Sequence, residues 1–158
     1  MSTAVNPQTD LTITRLIKAP RAAVWSAWAN PRSFEQWWIP APARCKVAAM
    51  ELRPGGAFET LMSEGGAEFG PHLSGCFLDI AEGERIVFTN ALQGGWRPAA
   101  QPFMTAIITL ADHPEGTDYV AHVMHKDSAD RDMHEQLGFF DGWGTVIAQL
   151  AEFTERAR

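Results

Sequence analysis

From Leu11 to Ile17 apolar and polar residues alternate in LTITRLI, the period-two signature of a strand with one covered face. Ala19-Pro20 closes that strand, because proline suits the first turn of a helix. Val24, Trp25 and Trp28 then recur at helical spacing, which predicts a helix over about 20–29. Asn30-Pro31 stops it and starts a second short helix holding Phe34, Trp37 and Trp38, which Pro40 and Pro42 end. Beyond this point the pattern shortens into strands at about 45–51, 57–63, 72–80, 85–91, 103–111 and 118–126, separated by turn chemistry. Arg53-Pro54-Gly55-Gly56, for instance, suits a type II turn, with proline at the second position and glycine at the third. Asp127-Ser128 is a suitable N-cap, with Asp130 and Asp132 in the favoured first turn, and the chain reads as helix from there almost to its end.

That last segment is amphipathic. Phe139, Trp143, Val146, Ile147, Leu150 and Phe153 share one stripe, opposite Asp141, Thr145, Gln149 and Glu152. Gly138, Gly142 and Gly144 interrupt it, and each glycine costs a helix roughly 1 kcal/mol relative to alanine. Gly142 lies at the edge of the stripe, where a missing side chain suits either a close approach of the sheet or free volume beside it. We expect free volume, so that the helix closes over a cavity.

The order of elements is strand, two short helices, six strands and a long helix, an α+β pattern. We expect a flexible start over residues 1–10 and a single domain over 11–158. Four stretches in order, KAPRAAVWSAWANPRSFEQWW, ELRPGGAFETLM, LSGCFLDIAEGERIVFT and HEQLGFFDGWG, resemble the SRPBCC or START-like superfamily. The similarity is to its branch named after the activator of the ninety-kilodalton heat-shock chaperone ATPase, which includes polyketide-cyclase-like proteins. The resemblance implies the helix-grip fold: a curved seven-stranded antiparallel sheet around a long C-terminal helix, two short helices after strand one, and a cavity between sheet and helix.

Charged members of each alternation mark the outer face of the sheet. By that rule Phe58, Thr60 and Met62 face inward, as do His72, Ser74, Cys76 and Leu78, then Ile86 and Phe88, Met104, Ala106 and Ile108, and Tyr119, Ala121, Val123 and His125. The expected ligand-binding set is Trp37, Phe58, Thr60, Met62, His72, Phe88, Trp96, Met104, Tyr119, His125, Phe139, Gly142 and Trp143. Trp37 and Trp38 point about 100° apart on a helix, so one should be more enclosed than the other. The long Leu92–Pro102 connection, carrying Trp96 and Arg97, is expected to act as a lid.

Composition narrows the function. Thirteen Lys plus Arg stand against 19 Asp plus Glu with no basic cluster, which argues against nucleic acid. Neither an export signal nor an apolar run of spanning length is visible, so no membrane partner is expected. Two isolated cysteines, Cys45 and Cys76, make a reducing cytoplasm the simplest home, with a secreted two-cysteine protein as the alternative. His122 and His125 fall on opposite faces of one strand and cannot share an ion, so no metal site is expected. Nor is a cofactor expected, since nucleophile elbows, P-loops and dinucleotide fingerprints are missing. The sequence therefore points to a soluble binding protein for an apolar or aromatic small molecule. The alternatives are a cyclase- or hydrolase-type enzyme on a polyketide-like substrate, using Tyr119, His72 or His125 as acid or base, and a regulator of the chaperone ATPase. A homodimer is compatible with the chain.

Overall fold

The computed structural model describes residues 4–156. Its elements in chain order are β1 (Asp10–Ile17), α1 (Arg21–Ala29), α2 (Pro31–Phe34), β2 (Arg44–Met50), β3 (Ala57–Ser63), β4 (Gly70–Ala81), β5 (Arg85–Thr89), β6 (Leu92–Gln93), β7 (Arg97–Pro98), β8 (Thr105–His113), β9 (Gly116–Met124), α3 (Ser128–Gln136) and α4 (Phe139–Arg156). Seven strands form one antiparallel sheet in the order β1-β9-β8-β5-β4-β3-β2. Strands β1 and β2 are thus the two edges, and α1 with α2 carries the chain from one to the other. Asn30 makes that double helix possible: its side chain accepts from the Arg32 and Ser33 N–H groups while Pro31 fills the first helical position. The Arg53–Gly56 turn is as expected, with Gly55 at φ 82° and the Gly56 N–H on the Arg53 carbonyl at 2.8 Å.

Three local readings change. The C-terminal helix is two helices, because Gly138 adopts φ 97° and its N–H bonds the Glu135 carbonyl, the left-handed stop that ends α3. The second short helix stops at Phe34, and Trp37 and Trp38 lie in the turn after it. Asp10, assigned to the flexible start, is the first residue of β1 and is buried, its carboxylate taken up by Asn6, Thr9 and His122.

Two bulges in β4 correct the face assignment. Thr60 pairs with Leu73 and Leu61 with Pro71, so His72 is an extra residue and both it and Leu73 reach the inner side. Phe77 pairs with Phe88 and Asp79 with Val87, which makes Leu78 the second extra residue. As a result Ser74, Cys76 and Leu78 face outward rather than inward. Ser74 accepts from Gln93 of the small β6–β7 hairpin, and Leu78 lines a groove on the outer face.

Candidate functional site

The space between sheet and helices has a filled end and an open end. At the filled end Trp28 of α1 is fully enclosed, with Phe34 at 5.0 Å and Trp37 at 5.5 Å between ring centroids. Phe58 stacks on Phe77 at 4.6 Å and meets Phe88 edge-on at 5.1 Å. Edge-to-face and offset geometries of this kind add to the area the rings bury. Polar atoms here are satisfied: the Trp28 Nε1–H donates to the Tyr119 hydroxyl at 2.8 Å, and the Trp37 Nε1–H to the Ala27 carbonyl at 3.0 Å.

At the open end a cavity of about 290 Å³ remains, lined by Trp38, Pro40, His72, Leu73, Asn90, Met104, Gly142, Trp143 and Val146. It stands at the small end of ligand sites, which run from about 300 to 1,000 Å³. Helix α4 supplies one wall. A β-carbon built on Gly142 would meet nothing within 4 Å, so the glycine borders empty space, whereas one on Gly144 would sit 3.6 Å from Ile13 of β1, an ordinary packing distance. The opposite wall, residues 37–41, is clamped to α4 by one side chain: the Gln149 Nε2 donates to the Trp37 and Ile39 carbonyls, and its Oε1 accepts from the Ala41 N–H. Trp38 joins the two ends, 5.3 Å from Trp28 and 6.3 Å from Trp143.

The polar groups of the cavity are few and mostly donors. Trp38 Nε1–H is enclosed and, unlike the other two indoles of the filled end, has no hydrogen-bond partner among the described residues. The Asn90 Oδ1 accepts from the Phe103 and Met104 N–H groups, both at 2.9 Å, leaving its NH₂ without a bond among the described residues. His72 stands at the mouth, with Nδ1 2.9 Å from the buried Thr60 hydroxyl. Much of its ring surface is open to solvent, yet protein atoms crowd the rest, and this partial burial lowers its pKa and favours neutral imidazole.

Of the residues expected to bind a ligand, His72, Met104, Gly142 and Trp143 line this cavity. Trp37, Phe58, Phe88, Tyr119 and Phe139 lie in the core behind it, and Thr60 is covered by His72. Met62 packs against the core from β3 without reaching the space. Trp96 lies elsewhere: Phe58 points inward, so Ala57 points out, and the hairpin tip settles there, with Gly94 against Ala57 and the Trp96 ring against Gly55. Trp96 is 52% exposed and adopts φ 65°. The structure does not bring the expected lid to the cavity mouth.

His125 lines a neighbouring pocket that shares Met104 with the cavity. Both of its nitrogens are engaged, Nδ1 with the Thr9 carbonyl and Nε2 with His134 Nδ1, each at 2.8 Å. Since a carbonyl can only accept, His125 Nδ1 carries a proton; with both rings neutral, His134 Nδ1 donates to His125 Nε2. Burial, reinforced by the repulsion that two imidazolium rings would meet at this spacing, pulls the His134 pKa down to about 4. His134, at the end of α3, packs among Phe103, Phe139 and His125.

Residues missed from sequence are Trp38, Pro40, Leu73, Asn90 and Val146. Val146 already lay on the apolar stripe of the helix, and Trp38 was the other choice of an adjacent pair. Leu73 was hidden by the bulge at His72, and Asn90 by extending β5 too far. Among the described residues no three His, Cys, Asp or Glu side chains gather as metal ligands. Burial pushes the Cys45 thiol up to about 12, which keeps it protonated and unreactive.

A family model described as Activator of Hsp90 ATPase homolog 1-like protein matches residues 18–155. Among solved structures, a protein from Nitrosomonas europaea is 36% identical, with 97% of this chain and 98% of that one covered and a TM-score of 0.88. A protein from Mycobacterium smegmatis, 22% identical over 100% of this chain and 99% of that one, has a TM-score of 0.78. An AHSA1-like protein from Aeromonas hydrophila, 19% identical over 94% and 93%, has a TM-score of 0.71. No curated protein matches the chain. With a family match over nearly its whole length and the same helix-grip architecture, the chain belongs to the Activator of Hsp90 ATPase homolog 1-like family.

Proposed function

We propose that the protein binds an apolar or aromatic small molecule carrying a hydrogen-bond acceptor, in the cavity between the sheet and α4. The observation that carries this reading is a mostly apolar cavity whose few polar groups are led by the unbonded Asn90 NH₂, bordered by the enclosed Trp38 indole, whose N–H has no partner among the described residues. Buried donors are rarely left unpaired, and an unpaired one costs about 1–3 kcal/mol. A ligand carbonyl facing the Asn90 NH₂ would satisfy that donor, and a turn of the Trp38 ring would bring its N–H to the same acceptor, while Trp143, Leu73, Met104 and Val146 hold the apolar body. Neutral His72 at the mouth suits an uncharged ligand.

Catalysis is less well supported. Tyr119 is sealed behind the cavity with its hydroxyl on Trp28, and burial raises its pKa further. Both His125 nitrogens are committed to protein partners. Family membership points to a ligand-binding or regulator-type domain. A role in regulating a chaperone ATPase draws on the family name, whereas ligand binding draws on the geometry of this chain.

Fluorescence titration with 2-acetylnaphthalene and with 2-ethylnaphthalene tests the proposal. The ketone should quench tryptophan emission with at least tenfold higher affinity, and Gly142→Leu, which fills the cavity, should remove the response. Equal affinities would reject the acceptor requirement, and binding unaffected by Gly142→Leu would reject the cavity. Native mass spectrometry of protein from its own cells would reveal any retained ligand mass.

A further inference from the structure

The outer face of the sheet carries a groove of about 570 Å³, nearly twice the volume of the inner cavity and within the range of small-molecule sites. The registers explain its floor. Thr12, His122, Ile107, Val87 and Asp79 pair in turn across β1, β9, β8, β5 and β4, so their side chains form one row on one face. Val120 and Met124 of β9 and the bulged Leu78 add apolar surface to either side of that row. A sheet face open to solvent normally reads as polar. Here its centre is apolar, and charge appears at one end, where Arg85 Nε donates to the Asp79 carboxylate at 2.8 Å.

At the other end stands a buried polar device. The Asp10 carboxylate accepts from the Asn6 N–H at 2.9 Å, the Thr9 hydroxyl at 2.8 Å and His122 Nε2 at 2.7 Å. Burial pushes this carboxyl up, but the hydrogen bonds from Asn6, His122 and Thr9 together outweigh it and hold the group ionised. An ionised carboxylate can only accept, so the proton of the imidazole is fixed on Nε2. In neutral His122, Nδ1 then keeps a lone pair, and this nitrogen makes no hydrogen bond among the described residues although His122 lines the groove. Thr12, directly opposite His122 in the register, is a second groove residue whose hydroxyl makes no hydrogen bond among the described residues.

We propose that this groove is a second binding site, for a flat, uncharged amphiphile whose hydroxyl donates to His122 Nδ1 and whose apolar body lies on Val87, Ile107 and Val120. The charges around it argue for a neutral ligand, since each is already taken up within the protein: Asp10 by Asn6, Thr9 and His122 at one end, Arg85 by Asp79 at the other. The site is separated from the inner cavity by the thickness of the sheet, so it stands or falls independently of the function proposed above.

The test is methyl-resolved NMR of the full chain with 2-naphthol and with 2-methoxynaphthalene, which has the same body but no hydroxyl to donate. Expected are shifts in the methyl resonances of Val87, Ile107 and Val120 with 2-naphthol, and at least tenfold weaker binding of the ether at those methyls. His122→Phe should reduce the naphthol affinity to that of the ether, and Ile107→Lys, a change at a solvent-facing position, should abolish the outer-face shifts while leaving Val146 of the cavity responsive. Equal affinities for the two probes, or shifts confined to Met104 and Val146, would overturn the proposal. So would probe-independent shifts at these methyls on dilution, lost in Ile107→Lys, because they would identify the face as an interface between two copies.

Discussion

The two ends of the space under α4 are built from the same kinds of residue and do opposite things. At the filled end Trp28, Phe34, Trp37, Phe58 and Phe88 interlock, and none has measurable exposure. At the open end Trp38 and Trp143 face each other edge-on across 6.3 Å beside free volume. Aromatic content therefore does not decide between core and cavity. What decides is the absence of a side chain at Gly142, the shortening of α2 that leaves Trp38 in a turn, and the bulge that puts His72 and Leu73 together on the inner side.

If that division is right, the filled end should carry stability and the open end should carry binding. Trp28→Ala should be the most damaging substitution: removing a fully enclosed indole costs about 3–5 kcal/mol and would also strip the Tyr119 hydroxyl of its donor. Denaturant unfolding would show it. A loss under about 1 kcal/mol would mean that the filled end is no more tightly built than the open one.

Trp143→Ala should reverse the balance. The ring is only partly buried, so its loss should lower stability by about 1–2 kcal/mol, less than burial of a complete side chain would suggest. Affinity for 2-acetylnaphthalene should fall at least tenfold. Comparable binding in parent and variant would place the ligand nearer Trp38 and Pro40 than the helix.

Acid should separate the ends as well. His134, packed on Phe139 beside the pocket that His125 lines, has its pKa lowered to about 4 from an ordinary 6.5. Between those values the unfolded chain takes up a proton that the folded one refuses, so this stabilisation is complete above pH 6.5 and is lost as the pH falls toward 4. His72 has a lowered pKa too and acts in the same direction. The Asp10 carboxyl is also held low, but its contribution is lost only as pH drops below the ordinary carboxylate value of about 3.9. His134→Phe keeps the ring contacts and removes the proton site, so its melting temperature should fall less than the parent's between pH 6.5 and 4. Parallel curves would show that acid acts elsewhere.

Much of this was legible in the sequence. Alternation, turn residues and caps located the strands because each obeys a local rule: Arg53–Gly56 forms its turn, and Asp127 caps α3 with its side chain on the Asp130 N–H. His122 and His125 fall on opposite faces because a strand alternates, whatever surrounds it. The site was harder to read since it depends on departures from regularity. A single bulged residue at Leu78 reversed the assignments of Ser74, Cys76 and Leu78 relative to Phe88, and no residue type announces such a bulge. Trp96 looked like an anchor over a cavity, yet the hairpin around it folds onto the outer side, where Gly55 and Ala57 leave room. Of the three glycines near the end, Gly138 marks a helix stop, left-handed in the structure, that a glycine closely following the polar run His134–Gln136 could have signalled.

Gly142→Ala is the smallest change and the sharpest test of the division. Its backbone is ordinary helix, and nothing lies within 4 Å of the β-carbon it would gain. The methyl therefore creates no clash that would offset the better helix propensity of alanine, and stability should rise by up to about 1 kcal/mol. At the filled end an added methyl would be expected to overpack the core and lower stability by about 1–3 kcal/mol, so the sign of the change reports which kind of surroundings the position has. The same methyl occupies part of a 290 Å³ space beside Trp143, and affinity for 2-acetylnaphthalene should drop as the melting temperature climbs. Opposite movements of stability and binding in one variant would tie the empty volume to ligand binding. A lower melting temperature with unchanged binding would instead make Gly142 a packing residue and move the ligand toward Trp38.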